Sequence, residues 1–299
     1  MKLIRVGESG SEVPAVLDTS GVARSLSDVI PDISGETLSI AGLRKLRTVD
    51  LNSLPRLTPG RYGPPLARVG KIVCVGLNYV DHAAESSVAI PSEPILFLKS
   101  TTSICGPYDD VVLPAGSVQT DWEVELGVVI GEVTRRVNRT EALQYVSGYL
   151  IVNDISERAF QLERGGQWVK GKSCDTFGPL GPWLVTREEI ADVGALRLWL
   201  KVNGHRYQNG DTGKMIFDVP TLVSYISEFM TLMPGDIIST GTPAGVGLGL
   251  KPPRYLKPND IMELGIDGLG TQRHRIVPTA PVQAMRDVAN PAHAPKLVR

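Results

Sequence analysis

The sequence predicts an α+β fold that is mainly β, and three observations carry that prediction. Short apolar runs of strand length recur along the chain, Gly- and Pro-rich turns separate them, and helical periodicity is rare. The runs after the leading segment are KIVCVGL, ILFLK, VVLP, EVELGVVIG, GYLIVND, LRLWLKVNG, DIISTG and IMELGIDGLG. Thr140–Ser147 and Val219–Met230 are the better helix candidates. Many strands with few helices point to a sheet-rich domain rather than a doubly wound one.

In chain order, residues 1–66 read as a small N-terminal domain. It opens on a strand (KLIRV) and a second apolar run (VPAVLD), and LPRLTPGRYGPPLARVG then marks a boundary near Pro64–Val69. Residues 67–280 form the main domain. The last stretch, 281–299, is rich in Ala and Pro, poor in large apolar residues, and is expected to be mobile.

Bulk properties narrow the function. A chain of 299 residues, 42% hydrophobic and 21% charged, suits a large domain with a small appendage. The formal net charge is −1 and no basic block stands out, which disfavours nucleic acid and anionic membrane and favours a small-molecule partner. The N-terminus lacks the apolar core of a signal peptide, and runs such as Lys71–Leu77 are too short to span a bilayer. Three cysteines without CxxC spacing argue for free thiols in a reducing compartment. These features predict a soluble cytoplasmic protein.

The segment TDWEVELGVV, Thr120–Val129, alternates as a half-buried strand does, with Glu123 and Glu125 on one side and Val124 and Leu126 on the other. Asp121 lies on the acidic side, where a strand-entry turn is its expected job. Two such charges ~4 Å apart repel by about 4 kcal/mol at an effective dielectric of ~20. A solvated polar face is the ordinary explanation for one E-x-E pair. The apolar run GYLIVND, however, ends abruptly in Asn153–Asp154. Asp154 with Glu157 resembles a helix capping box; with Glu123 and Glu125 it makes an oxygen cage for a hard cation, Mg²⁺, Mn²⁺ or Ca²⁺. Three carboxylates and a dication leave one net negative charge. No HExxH or Cys/His cluster offers a zinc alternative.

His82 and Glu85, three apart, share a helical face and form a candidate base-and-orienter pair, against the alternative of an exposed helix with an incidental His. Gly165–Pro182 packs glycines around Lys172 and Cys174 without P-loop spacing. A nearby cation would activate the Cys174 thiol, but packing is the simpler reading. Gly241–Gly249 offers backbone N–H groups and the Thr242 hydroxyl to an anion.

The ordered set GLNYVDHAAES, ILFLK, TDWEVELGVVIG, NDISERAFQ, KGKSCDTFGPLGP and PGDIISTGTPAGVG resembles the fumarylacetoacetate hydrolase family over roughly residues 69–277. That resemblance implies a metal-dependent enzyme on a mixed β-sandwich roll, usually a homodimer. It assigns Glu123, Glu125 and Asp154 to the divalent metal, and His82 and Glu85 to water activation on a lid segment. Lys172 would steady an enolate, and Arg158, Gln161 and Thr242 would contact substrate. The implied reaction cleaves the C–C bond of a 2,4-diketo acid to pyruvate and a carboxylic acid. The spelling SERAFQLERGGQWVKGKSCDTFGPLGPWLV is similar to the branch acting on 2,4-diketo-3-deoxy-L-fuconate or L-rhamnonate, for which Arg164 and Gln167 are candidate extra donors. Ureidoglycolate cleavage, oxaloacetate decarboxylation and enol–keto isomerisation are alternatives on the same site. A non-catalytic metal- or metabolite-binding protein is the alternative of another class.

Overall fold

The computed structural model describes residues 1–85 and 88–279; the tail expectation for 281–299 lies outside them. The predicted sheet-rich α+β architecture is present. The main sheet runs, edge to edge, through Arg56–Leu57, Ala23–Ser25, Val13–Leu17, Lys2–Val6, Gly178–Thr186, Val146–Asn153, Val124–Ile130, Ile237–Ser239, Ile72–Gly76 and Ile95–Lys99. Ile104–Cys105 pairs in parallel with Gly178–Thr186. Pairing is otherwise antiparallel except between Ile237–Ser239 and Ile72–Gly76. A second sheet orders His205–Asp211, Arg197–Val202, Ile261–Ile266, Gly270–Pro278 and Val111–Leu113.

The strand Val124–Ile130 lies at the centre, and both of its faces are covered. Val124, Leu126, Val128 and Ile130 join one core with Leu198, Leu200 and Leu264 of the second sheet. Val129 joins another core with Leu150 and Val152 of the neighbouring strand and Leu3 and Leu43 of the leading segment. Full burial of each large aliphatic side chain contributes about 1.5–3 kcal/mol. The half-buried strand expected from alternation is therefore corrected: the strand is buried throughout. Its carboxylates face an interior, so the solvated-face explanation fails.

The helix Val219–Phe229 forms for local reasons. The Asp218 side chain accepts from Thr221 N at 2.9 Å, and Val219, Leu222, Val223 and Ile226 make one buried stripe at helical spacing. The other expected helix, Thr140–Ser147, shrinks to a 3₁₀ turn at Ala142–Tyr145, because Val146 already pairs with Ile130 and opens the strand Val146–Asn153.

Candidate active site

Strand register assembles the site. Val124 pairs with Asn153 and Glu125 with Val152, so Glu123 and Asp154 leave their strands side by side. Asp154 N donates to Glu123 O at 2.9 Å. Glu123, Glu125 and Asp154 are all buried, and one oxygen from each lies within 4.8 Å of the others. Ser239 Oγ and Gly241 N donate to Glu125 Oε2 at 2.5 and 2.9 Å. Burial, with Asp154 and Glu123 beside it, pushes the Glu125 carboxyl well above the usual range.

Three cations brace the other two carboxylates. Lys172, closing the short helix Val169–Lys172, donates to Glu123 Oε2 at 2.6 Å and Asp154 Oδ2 at 2.7 Å. Burial alone would lower the lysine pKa, yet Asp154 and Glu123 hold it above its ordinary value. Lys99, fully buried at the end of Ile95–Lys99, donates to Asp154 Oδ1 at 2.6 Å. Arg158 NH2 reaches Glu123 Oε1 at 2.7 Å. The charge balance inferred from three carboxylates and a dication thus omitted Lys99, Lys172 and Arg158. With them, a bound dication leaves the site able to accept an anionic ligand.

The capping-box reading of Asp154 is also corrected. Glu157 itself caps the helix Arg158–Leu162, accepting from Ala159 N, while the Asp154 side chain is held by the two lysines. On that helix Arg158 NH1 donates to Gln161 Oε1 at 3.0 Å.

His82 and Glu85 lie on the short helix Val80–Glu85, with His82 Nδ1 3.3 Å from Glu85 Oε2. Glu85 Oε1 accepts from Gly245 N at 2.9 Å. With Nδ1 on the carboxylate, Nε2 is left to act as a base. Thr242 Oγ1 donates to Val124 O at 3.0 Å and accepts from Gln208 Nε2 at 2.7 Å. The anion expected at the Gly241–Gly249 turn proves internal: its N–H groups serve Glu125, Glu85 and Asp121.

A cavity of about 490 Å³ is lined by every predicted site residue except Asp154, which lies fully buried. Its lining also includes the apolar side chains of Phe97, Leu162, Trp168, Leu248, Leu250 and Pro253. Phe97 and Trp168 meet edge to face at 5.3 Å, and Lys172 Nζ sits 5.0 Å from the Phe97 ring centroid. Arg164 and Gln167 are exposed and do not line the cavity. Cys174 does not line it either, and burial pushes its thiol up, so the packing reading holds.

Sequence reasoning missed Lys99 and the contacts that Asp121 makes with Arg158 and Gly247. A signal for the first existed: ILFLK ends in a lone charge after an apolar run, as GYLIVND does.

Fold and site together define a member of the fumarylacetoacetate hydrolase family. The family model described as fumarylacetoacetate (FAA) hydrolase C-terminal matches residues 71–277, and the chain belongs to that family. A Burkholderia ambifaria protein, named no more narrowly than as a hydrolase, is 57% identical over 91% of this chain and 97% of its own length. The structure of a fumarylacetoacetate hydrolase from Exiguobacterium antarcticum matches with a TM-score of 0.84 at 36% identity, over 93% of this chain and 100% of that one. A maleylpyruvate hydrolase from Sphingobium sp. SYK-6, in complex with manganese(II) and pyruvate, matches at 0.78 and 28% identity, over 94% and 100%. A 5-carboxymethyl-2-hydroxymuconate delta-isomerase from Mycobacterium smegmatis matches at 0.74 and 32%, over 94% and 100%.

Proposed function

We propose that the protein is a divalent-metal-dependent hydrolase that cleaves the C–C bond of a 2,4-diketo acid, giving pyruvate and a carboxylic acid. One observation carries this reading: the His82–Glu85 pair, Lys172 and the carboxylates Glu123 and Glu125 face one cavity, with Asp154 against them. The donor set fits a hard cation, since it is all carboxylate and one oxygen from each of the three buried groups lies within 4.8 Å of the others. Glu123, Glu125 and Asp154 would hold the ion, which when bound polarises the carboxylate and 2-oxo oxygens of the substrate. The manganese in the maleylpyruvate hydrolase complex favours Mn²⁺ here.

His82 Nε2 takes a proton from water as the water oxygen bonds to the 4-oxo carbon. Glu85 holds the imidazole through Nδ1 and stabilises its protonated form. The C3–C4 bond then breaks, its electron pair passing to C3 as the enolate of pyruvate. The Lys172 ammonium lies at the carboxylates and offers positive charge to the developing enolate. The proton held by His82 returns to C3, giving pyruvate, and the acyl half departs as a carboxylic acid carrying the water oxygen. Within this class, 2,4-diketo-3-deoxy sugar acids are the narrower proposal, and it rests on sequence spelling.

The test is a panel of 2,4-diketo acids assayed with and without chelator, with products followed by NMR. Pyruvate plus the acyl-derived acid, lost on chelation, is expected. Carbon dioxide release or an isomer with an intact carbon chain would instead establish the decarboxylase or isomerase alternative.

A further inference from the structure

Asp121 has no part in the proposed chemistry, yet it is fully buried and each of its oxygens meets two donors. Oδ1 accepts from Trp122 N at 2.8 Å and Gly247 N at 2.6 Å. Oδ2 accepts from Leu248 N at 2.9 Å and Arg158 Nε at 2.9 Å. Those four donors engage the carboxylate fully, so it has a structural task rather than a free ligand position.

Its partners lead in two directions. Through Arg158 it reaches Glu123, because the same guanidinium that takes Asp121 on Nε takes Glu123 on NH2 at 2.7 Å. Through Gly247 and Leu248 it holds the loop Gly245–Gly249, whose opposite side carries Glu85. Gly245 N donates to Glu85 Oε1, and a Cβ at Gly249 would strike the Glu85 carboxylate, 2.7 Å from Oε2. Trp122, next to Asp121, ties the same loop by donating from Nε1 to Gly245 O at 3.0 Å.

We propose that Asp121 is a positioning residue that sets two parts of the site from one point: Glu123 through Arg158, and Glu85 through the Gly245–Gly249 loop. The metal and the dyad belong to the function proposed above, and the inference rests on that reading. One anchor makes their spacing a single geometric quantity rather than two independent ones.

Asp121→Asn is the direct test. Whichever way the amide turns, its NH₂ faces two N–H donors, so the loop loses an acceptor, and the Arg158 arm loses either its acceptor or the negative charge on it, at nearly constant volume. Calorimetric titration with Mn²⁺ should show affinity about 10–100-fold weaker, the range for loss of a partner behind a metal ligand. At saturating metal, kcat should also fall. In a Glu85→Ala background the kcat cost should shrink to under about threefold, whereas the metal cost should persist in full. Wild-type metal affinity in Asp121→Asn, or a kcat cost undiminished by Glu85→Ala, overturns the proposal. Should Asp121→Asn fail to fold, Arg158→Lys decides, since lysine keeps the charge but lacks the fork. Weakened Mn²⁺ binding there supports the proposal, and unchanged binding overturns it. A wild-type protein that binds Mn²⁺ but cleaves no diketo acid defeats the functional reading alone, leaving the metal arm decidable.

Discussion

The floor of the cavity and its rim are built on different principles. On the floor, Lys99 and Asp154 have fully buried side chains, and Lys172 binds two carboxylates at 2.6 and 2.7 Å. At the rim, His82 and Glu85 keep 12% and 16% of their side-chain exposure, meet at 3.3 Å, and stand on a helix of six residues. The register of two central strands places the floor carboxylates, with Lys99 supplied by an edge strand and Lys172 by a short helix; the rim depends on one hydrogen bond to each Glu85 oxygen. Removing a floor charge strands its buried partner, whereas the rim, to which the proposed chemistry is assigned, has little stake in the fold.

The sharpest way to break that contrast is Lys99→Met. Removing one partner of a buried ion pair costs about 3–5 kcal/mol, so chemical denaturation should show a loss of that size. A variant as stable as the wild type would show that the floor charges are not structural.

His82→Asn is the converse. Loss of a general base lowers kcat by about 10²–10⁴-fold, while stability should stay within about 0.5 kcal/mol, the usual span for changes away from the core. Steady-state kinetics and denaturation on one preparation check both halves.

A control outside both regions comes from His274 on the strand Gly270–Pro278. Burial pushes its imidazole down to about 4, against an opposing hydrogen bond to Asp109 O at 2.8 Å. The unfolded chain therefore takes up a proton that the folded protein refuses. This contribution is whole above pH ~6.5 and is lost as pH falls toward 4, by about 3 kcal/mol at ~1.4 kcal/mol per unit. His274→Asn should flatten that part of the stability profile; an unchanged slope would place the acid sensitivity elsewhere.

The smallest effect concerns the outer face of the site. Arg164→Ala and Gln167→Ala should each change kcat/KM for any diketo acid by less than about twofold, because neither lines the cavity. A larger loss on a polyol substrate would bring those side chains back as donors.

Much of the floor was legible in the sequence because strand periodicity is a local property. Glu123 and Glu125 announced a shared face, and the abrupt end of GYLIVND announced Asp154. What escaped depends on contacts between distant segments. Lys99 meets Asp154 across 55 positions, and Asp121 meets Gly247 across 126. Nothing in TDWEVELGVV separates an aspartate at a strand-entry turn from one joining two parts of a site. The burial of both strand faces was hidden for the same reason: Val124 and Val129 are covered by different distant segments.

The central claim is that Glu123, Glu125 and Asp154 form a divalent-cation site. Calorimetric titration of Mn²⁺ into the wild type, Glu123→Ala and Glu125→Ala tests it without reference to substrate. A saturable site is expected in the wild type and lost in both variants; undiminished binding in both would overturn the metal assignment.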